Sequence, residues 1–171
     1  RTEFHRLDIN RKWQDKFYSK INMEKALTFN QLAPYLPFGI RGVSKDENLG
    51  IELVKGYSTY GMNNNINLTT NIDDIDIECF MPILRPLSDL TNEIEHNGEK
   101  FIPMEYIMSM NSKSFKESLI KDRLTEALIN DLKHNRLQYK YCEKLFEWHF
   151  DVFGLIPEGL AIDINTLKPW K

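Results

Sequence analysis

The chain is poor in the features that announce a chemistry. Two cysteines in 171 residues, neither in a CxxC pair, leave no framework for disulfide staples or a structural zinc. Cys79 and Cys142 are expected on a strand and a helix, as small buried hydrophobes in a reducing compartment. The eight glycines are dispersed. None forms GxGxxG or GxxxxGK followed by Ser or Thr, so no phosphate-cradling loop is indicated. No serine has a GxSxG setting. No apolar run reaches the roughly 18 residues of a membrane span, and no signal-peptide pattern is present. The expected compartment is therefore the cytoplasm, and the sequon Asn67-Leu68-Thr69 carries little weight. Positive charge is also short: the net charge of -3 argues against a nucleic-acid footprint, which needs a clustered basic surface.

What the chain has instead is apolar patterning. Hydrophobic residues at 42% and a length of 171 suffice for one core without staples. Leu137, Tyr141, Leu145, Trp148 and Val152 are spaced to share one helix face, with Tyr139, Cys142, Phe146, Phe150 and Phe153 beside them. That predicts a helix over about 136–153, apolar around much of its circumference and sealed by other elements, with Gly154 as its left-handed cap. His149 and Asp151, two apart on such a helix, point some 200° from each other and serve its architecture. Ten phenylalanines, seven tyrosines and three tryptophans are generous for this length. They suit an aromatic core, or in part a protein-binding surface.

Residues 1–22 stand apart from the domain expected over 23–171. Six basic residues outnumber three acids there. Ile9, Trp13, Phe17 and Ile21 recur every fourth position, as in an amphipathic helix. It reads as a docking helix, as the end of a neighbouring domain, or as a segment for an acidic partner or membrane surface. Met23 is a candidate native start.

Thr28 and Gln31 have capping-box spacing, and Leu27 and Leu32 staple spacing, so a short helix begins there before Pro34 and Pro37. A hairpin is expected from strands at about 40–43 and 49–57, then a strand at 66–69 after a turn at 61–65. The next strand sets Ile75, Ile77, Cys79 and Met81 against Asp74, Asp76, Glu78 and Phe80, and Pro82 ends the sheet. Ser88 caps a short helix over 89–95; the alternative is a hairpin, 94–102, around Asn97-Gly98. Ser114 and Glu117 open a helix over about 115–133, which a short link packs antiparallel to the next. A last strand is expected over 160–164. The predicted fold is α+β: a small antiparallel sheet (about 40–82) packed by the two C-terminal helices and short N-terminal ones.

Two patterns suggest chemistry. Asp74, Asp76 and Glu78 on one strand face, with Asp73 beside them, are the carboxylates a Mg²⁺ site of a metal-dependent nuclease would need. The same charges also suit a solvated face that discourages edge pairing. Lys55, Tyr57 and Tyr60 could stack on single-stranded nucleic acid, or simply lie under covering helices. His5, His96 and His134 show no ligand spacing.

The phrases LAPYLPFG (32–39), PILRPLSDL (82–90) and EWHFDVFGLI (147–156), the last continuing into GLAIDIN (159–165), resemble a family of small uncharacterised proteins encoded by phages and prophages of Bacteroidetes-type bacteria. The likeness runs from about Met23 to Leu167. It implies a context, a phage-encoded accessory protein inside a bacterial host, and transfers no activity or site. The expectation is a non-enzymatic module that binds a protein partner, without cofactor. A phosphodiester-acting enzyme on the acidic strand is the alternative, and single-stranded nucleic-acid binding a further one.

Overall fold

The computed structural model describes residues 25–45, 51–60, 65–71, 74–110, 118–134 and 136–167. The amphipathic segment 1–22, the second capping box at Ser114 and most of the 61–65 turn lie outside those residues. The fold is α+β, built on a mixed six-stranded sheet.

The chain enters through α1 (Phe29–Leu32), where the Gln31 side chain accepts the Thr28 backbone N–H at 3.0 Å. Leu27 and Leu32 are both buried, as a staple requires. Pro34 and Pro37 then tighten the path into a 3₁₀ helix, Ala33–Phe38, which ends on Gly39 at φ 69°. The sheet follows: β1 (Arg41–Ser44), β2 (Glu52–Tyr60), β3 (Asn65–Thr70), β4 (Asp74–Asp76) and β5 (Phe80–Leu84). Its order is β4-β3-β2-β1-β5-β8, where β8 is Ile162–Asp163. Every pairing in it is antiparallel except β5 with β8.

The expected strand through 74–81 does not run straight. It breaks at Asp76, whose carboxylate accepts the Glu78 N–H, and a 3₁₀ turn over Ile77–Cys79 separates β4 from β5. Cys79 thus lies in a turn rather than on a strand. Phe80, expected on the acidic face, is fully buried, and all five residues of β5 are buried. Nor does Pro82 end the sheet: β5 runs through it to Leu84, with Pro82 opposite Gly42. Gly42 is required here. A Cβ on it would stand 2.3 Å from the Phe80 ring and 2.4 Å from the Met81 carbonyl oxygen.

After a 3₁₀ turn, Leu87–Thr91, the chain makes the hairpin β6 (Ile94–His96) and β7 (Glu99–Phe101), not the helix over 89–95. Ser88 caps nothing; Pro86 holds the N-cap position. Asn97 at φ 52° and Gly98 at φ 83° supply the two left-handed residues a tight hairpin turn needs. Three helices follow: α2 (Pro103–Ser109), α3 (Ser118–Lys133) and α4 (Tyr139–Glu147). Among the described residues α3 meets the 87–91 turn and α4 the 33–38 turn, and Leu128 and Leu132 of α3 share a core cluster with Tyr141 and Leu145 of α4.

Helix α4 joins two core clusters. Tyr141, Leu145 and Trp148 enter the one formed with the hairpin, α2 and α3. Phe146 leans on the other, where its ring meets that of Tyr35 edge-on at 5.0 Å. Sealing is partial, since Tyr139 is 78% and Phe153 42% exposed.

The helix also stops six residues sooner than its apolar pattern predicts. His149 N–H bonds to the Phe146 carbonyl, and Phe150 N–H to Leu145, which is a Schellman ending with His149 in the left-handed position at φ 58°. Gly154 is left-handed too, at φ 72°, but in the following turn. Three groups divert the backbone out of the helix. Arg85 bridges Phe150, donating its N–H to His149 O at 2.7 Å and accepting from Asp151 N at 2.8 Å. The buried Tyr35 hydroxyl donates to Phe150 O at 2.8 Å and accepts from Val152 N. The Asp151 carboxylate, 4% exposed, accepts the N–H groups of Leu155 and Ile156. Such local side-chain bonds compete directly with helix continuation.

Candidate functional site

The turn that ends α4 places His149 at the wall of an open cleft of about 970 Å³. Several other segments meet it there. The 33–38 turn gives Phe38, and β1 begins with Arg41. Strand β5 contributes Ile83 and is followed by Arg85. The hairpin gives Glu95, His96 and Asn97, and the C-terminal 3₁₀ helix gives Ile164, Asn165 and Leu167. Among the described residues on the wall, Glu95 is the one acidic residue, against the two arginines.

Each basic group is held by the fold. Arg85 is fixed through its backbone by the bridge to Phe150, and its Nη2 donates to the Glu95 carbonyl oxygen at 2.8 Å. Partial burial lowers its pKa; Asp89 nearby opposes that shift. Neither Arg41 nor Arg85 has a carboxylate within ion-pair distance among the described residues. Asn165 is set by two carboxylates: its backbone N–H reaches Asp163, and its Nδ2 reaches Asp89 at 2.7 Å.

The two imidazoles lie edge to face, with ring centroids 6.1 Å apart. His149 Nε2 is 3.2 Å from the Phe38 carbonyl oxygen. A carbonyl only accepts, so Nε2 carries the proton and Nδ1 is left with its lone pair. Burial pushes His149 down to about 4, helped by His96, Arg85 and Arg41 and opposed by the Phe38 contact. His96 is lowered as well, chiefly by burial, with Glu147 pulling the other way and Arg85 and Lys144 adding to the fall. Both shifts favour the neutral imidazole, which has one donor and one acceptor.

The residues read from the sequence as candidate chemistry lie elsewhere. Asp74, Asp76 and Glu78 sit at the opposite edge of the sheet, in β4 and the turn after it. Asp76 is engaged locally: one oxygen takes the Glu78 N–H and the other the Tyr60 hydroxyl, at 2.9 Å. Asp74 and Glu78 are exposed. Among the described residues no group of three His, Cys, Asp or Glu side chains is arranged to hold a metal ion. On β2, Tyr57 and Tyr60 are 55% and 44% exposed, so covering helices do not explain them. Three apart on a strand, however, they face opposite sides, and Tyr57 rests on Phe29 at 4.6 Å. They form no shared stacking platform. His134 is tied to Asn130 within its own helix end.

Sequence reasoning missed Arg41, Arg85, His96 and Asn165, which lie far apart along the chain and converge only in the fold. It found His149 but assigned it to architecture. Trp148, its neighbour, is indeed sealed at 2% exposure; His149 is not. The legible signal was Asn97-Gly98, whose hairpin brings His96 round to the cleft. No family model, curated protein or solved structure matches this chain. Among the described residues no helix is long and apolar enough to cross a membrane.

Proposed function

We propose that the chain is a non-enzymatic binding module, a phage-encoded accessory protein in context, whose ligand offers an anionic group to the Arg41–Arg85 cleft. One observation carries this reading: two guanidinium groups without carboxylate partners among the described residues share the wall of one open cleft. Guanidinium forks match the paired oxygens of carboxylates and phosphates. The residue at the end of α4 supports it. A left-handed cap position favours glycine or asparagine, yet a histidine stands there with its ring on the cleft. Non-glycine residues in that conformation concentrate at functional sites.

Thermal melting in an anion series at constant ionic strength tests the reading. Phosphate, sulfate and citrate are the probes. A ligand at about 100 times its Kd stabilises the folded state by about 2.7 kcal/mol. At least one of these anions should raise the wild-type midpoint by several degrees, and Arg85→Gln should abolish the rise. Equal shifts in both proteins would mean that the anions act elsewhere. Magnesium belongs to the acidic-strand alternative; we expect Mg²⁺ to leave the midpoint of both wild type and Asp76→Ala unchanged.

A further inference from the structure

We propose that the ligand of this cleft is a small phosphomonoester with a flat apolar body, of the nucleoside monophosphate class, and that its binding takes up a proton. This deepens the anionic-ligand reading and rests on it.

Three features of the wall select the ligand. The first is capacity. A cleft of about 970 Å³ is far larger than a bare anion and lies at the upper end of small-molecule sites. Phe38, Ile51, Ile83, Ile164 and Leu167 give it apolar walls, which a hydrated inorganic ion would leave uncovered. Phe38, an aromatic residue, and Asn97 and Asn165, which carry carboxamides, are among the lining residues, the types that stack on and hydrogen-bond a heterocycle.

The second is donor count. Each guanidinium carries five N–H donors, and Arg85 gives one to Glu95 O. The hydrogen-bonding capacity left exceeds what the two oxygens of a carboxylate absorb. A phosphoryl group presents three terminal oxygens and up to two charges.

The third is the pair of imidazoles: the His149 ring, with that of His96 beside it, lies on a wall shared with two arginines. Such rings are useful to a ligand that exchanges a proton near neutrality. A phosphomonoester does so, with a second pKa of about 6 against about 6.5 for free imidazole. Sulfate esters and ordinary carboxylates do not. When the dianion enters, its charge offsets that of Arg41 and Arg85, and one proton taken from solution is shared between phosphate and imidazole. The groups bearing on that proton are Arg41 from β1, Arg85 after β5, Glu95 and His96 from the hairpin, and Lys144 and Glu147 from α4. Asp89 stands beside Arg85.

Isothermal titration of the full chain with adenosine 5′-monophosphate, adenosine, inorganic phosphate and succinate tests this, at about pH 6 and about pH 8 and in buffers of different ionisation heat. The nucleotide should bind about tenfold or more tighter than any of the other three. Its binding should take up protons and weaken several-fold at the higher pH. His149→Asn keeps a residue suited to the left-handed position, and should still bind the nucleotide with proton uptake much reduced. Succinate binding as tightly as the nucleotide, or the absence of proton uptake in wild type, overturns the phosphomonoester assignment while leaving the anion cleft standing. Nucleotide binding no tighter than phosphate overturns the apolar body. No binding of any of the three anions brings down the reading beneath as well.

Discussion

The two edges of the sheet make an instructive contrast. At the β4 edge, acidic residues lie close along the chain, and Asp76 spends its two oxygens on the Glu78 backbone and on Tyr60. Toward the β8 edge, Arg41, Arg85, His96, His149 and Asn165 come from five separate segments and face one cleft. Clustering along the chain is weak evidence of a site, because a strand face that meets water collects charge for solubility alone. Convergence from distant segments requires the fold to hold each piece, and here it does so through the seam joining Arg85 to 149–151.

The largest effect that would separate the two edges lies in that seam. Phe150 is fully buried behind it, and Phe150→Ala should cost about 3–5 kcal/mol in urea unfolding. A loss under about 1 kcal/mol would show that the seam collapses readily and does not position Arg85.

The next effect reads His149 through pH. Its folded pKa of about 4 lies below the ordinary 6.5. Stability associated with the neutral ring is therefore fully present above the unfolded value and is lost as pH falls from 6.5 toward 4. The loss is roughly 3 kcal/mol. Burial raises Asp151, which acts in the opposite sense: acidification favours its protonated form in the folded state. Comparing wild type with His149→Asn cancels Asp151, which both proteins share. The difference in stability between the two should change by a few kcal/mol across that window. A constant difference would place the ring in water.

The smallest effects belong at the acidic edge. Asp76→Ala removes the acceptor of the Glu78 N–H and of Tyr60, and should cost about 1 kcal/mol. Asp74 is exposed at the sheet edge, and Asp74→Ala should change stability by less than about 0.5 kcal/mol. A greater loss from either than from Phe150→Ala would reverse the contrast.

Much of the framework was legible because it is local. The capping residues at Thr28 and Gln31, the β1–β2 hairpin and the helical face through Tyr141, Leu145 and Trp148 follow from spacing alone. The alternation over 74–81 misled, because Asp76 caps a turn within it and hands the chain to a strand buried on both faces. The end of α4 was hidden for a similar reason. Its apolar pattern continues to Phe153, but Tyr35 and Arg85, more than 60 residues upstream, take the backbone bonds that a helix would use. The cleft was illegible because its residues share neither element nor spacing. Only Asn97-Gly98 pointed toward it, through the turn that carries His96.

The most direct measurement is an NMR titration of the His149 imidazole, alone and with phosphate present. The account predicts that the free ring titrates near pH 4 and that phosphate moves the midpoint upward. A ring that titrates near 6.5 in both conditions would contradict the cleft as an anion site.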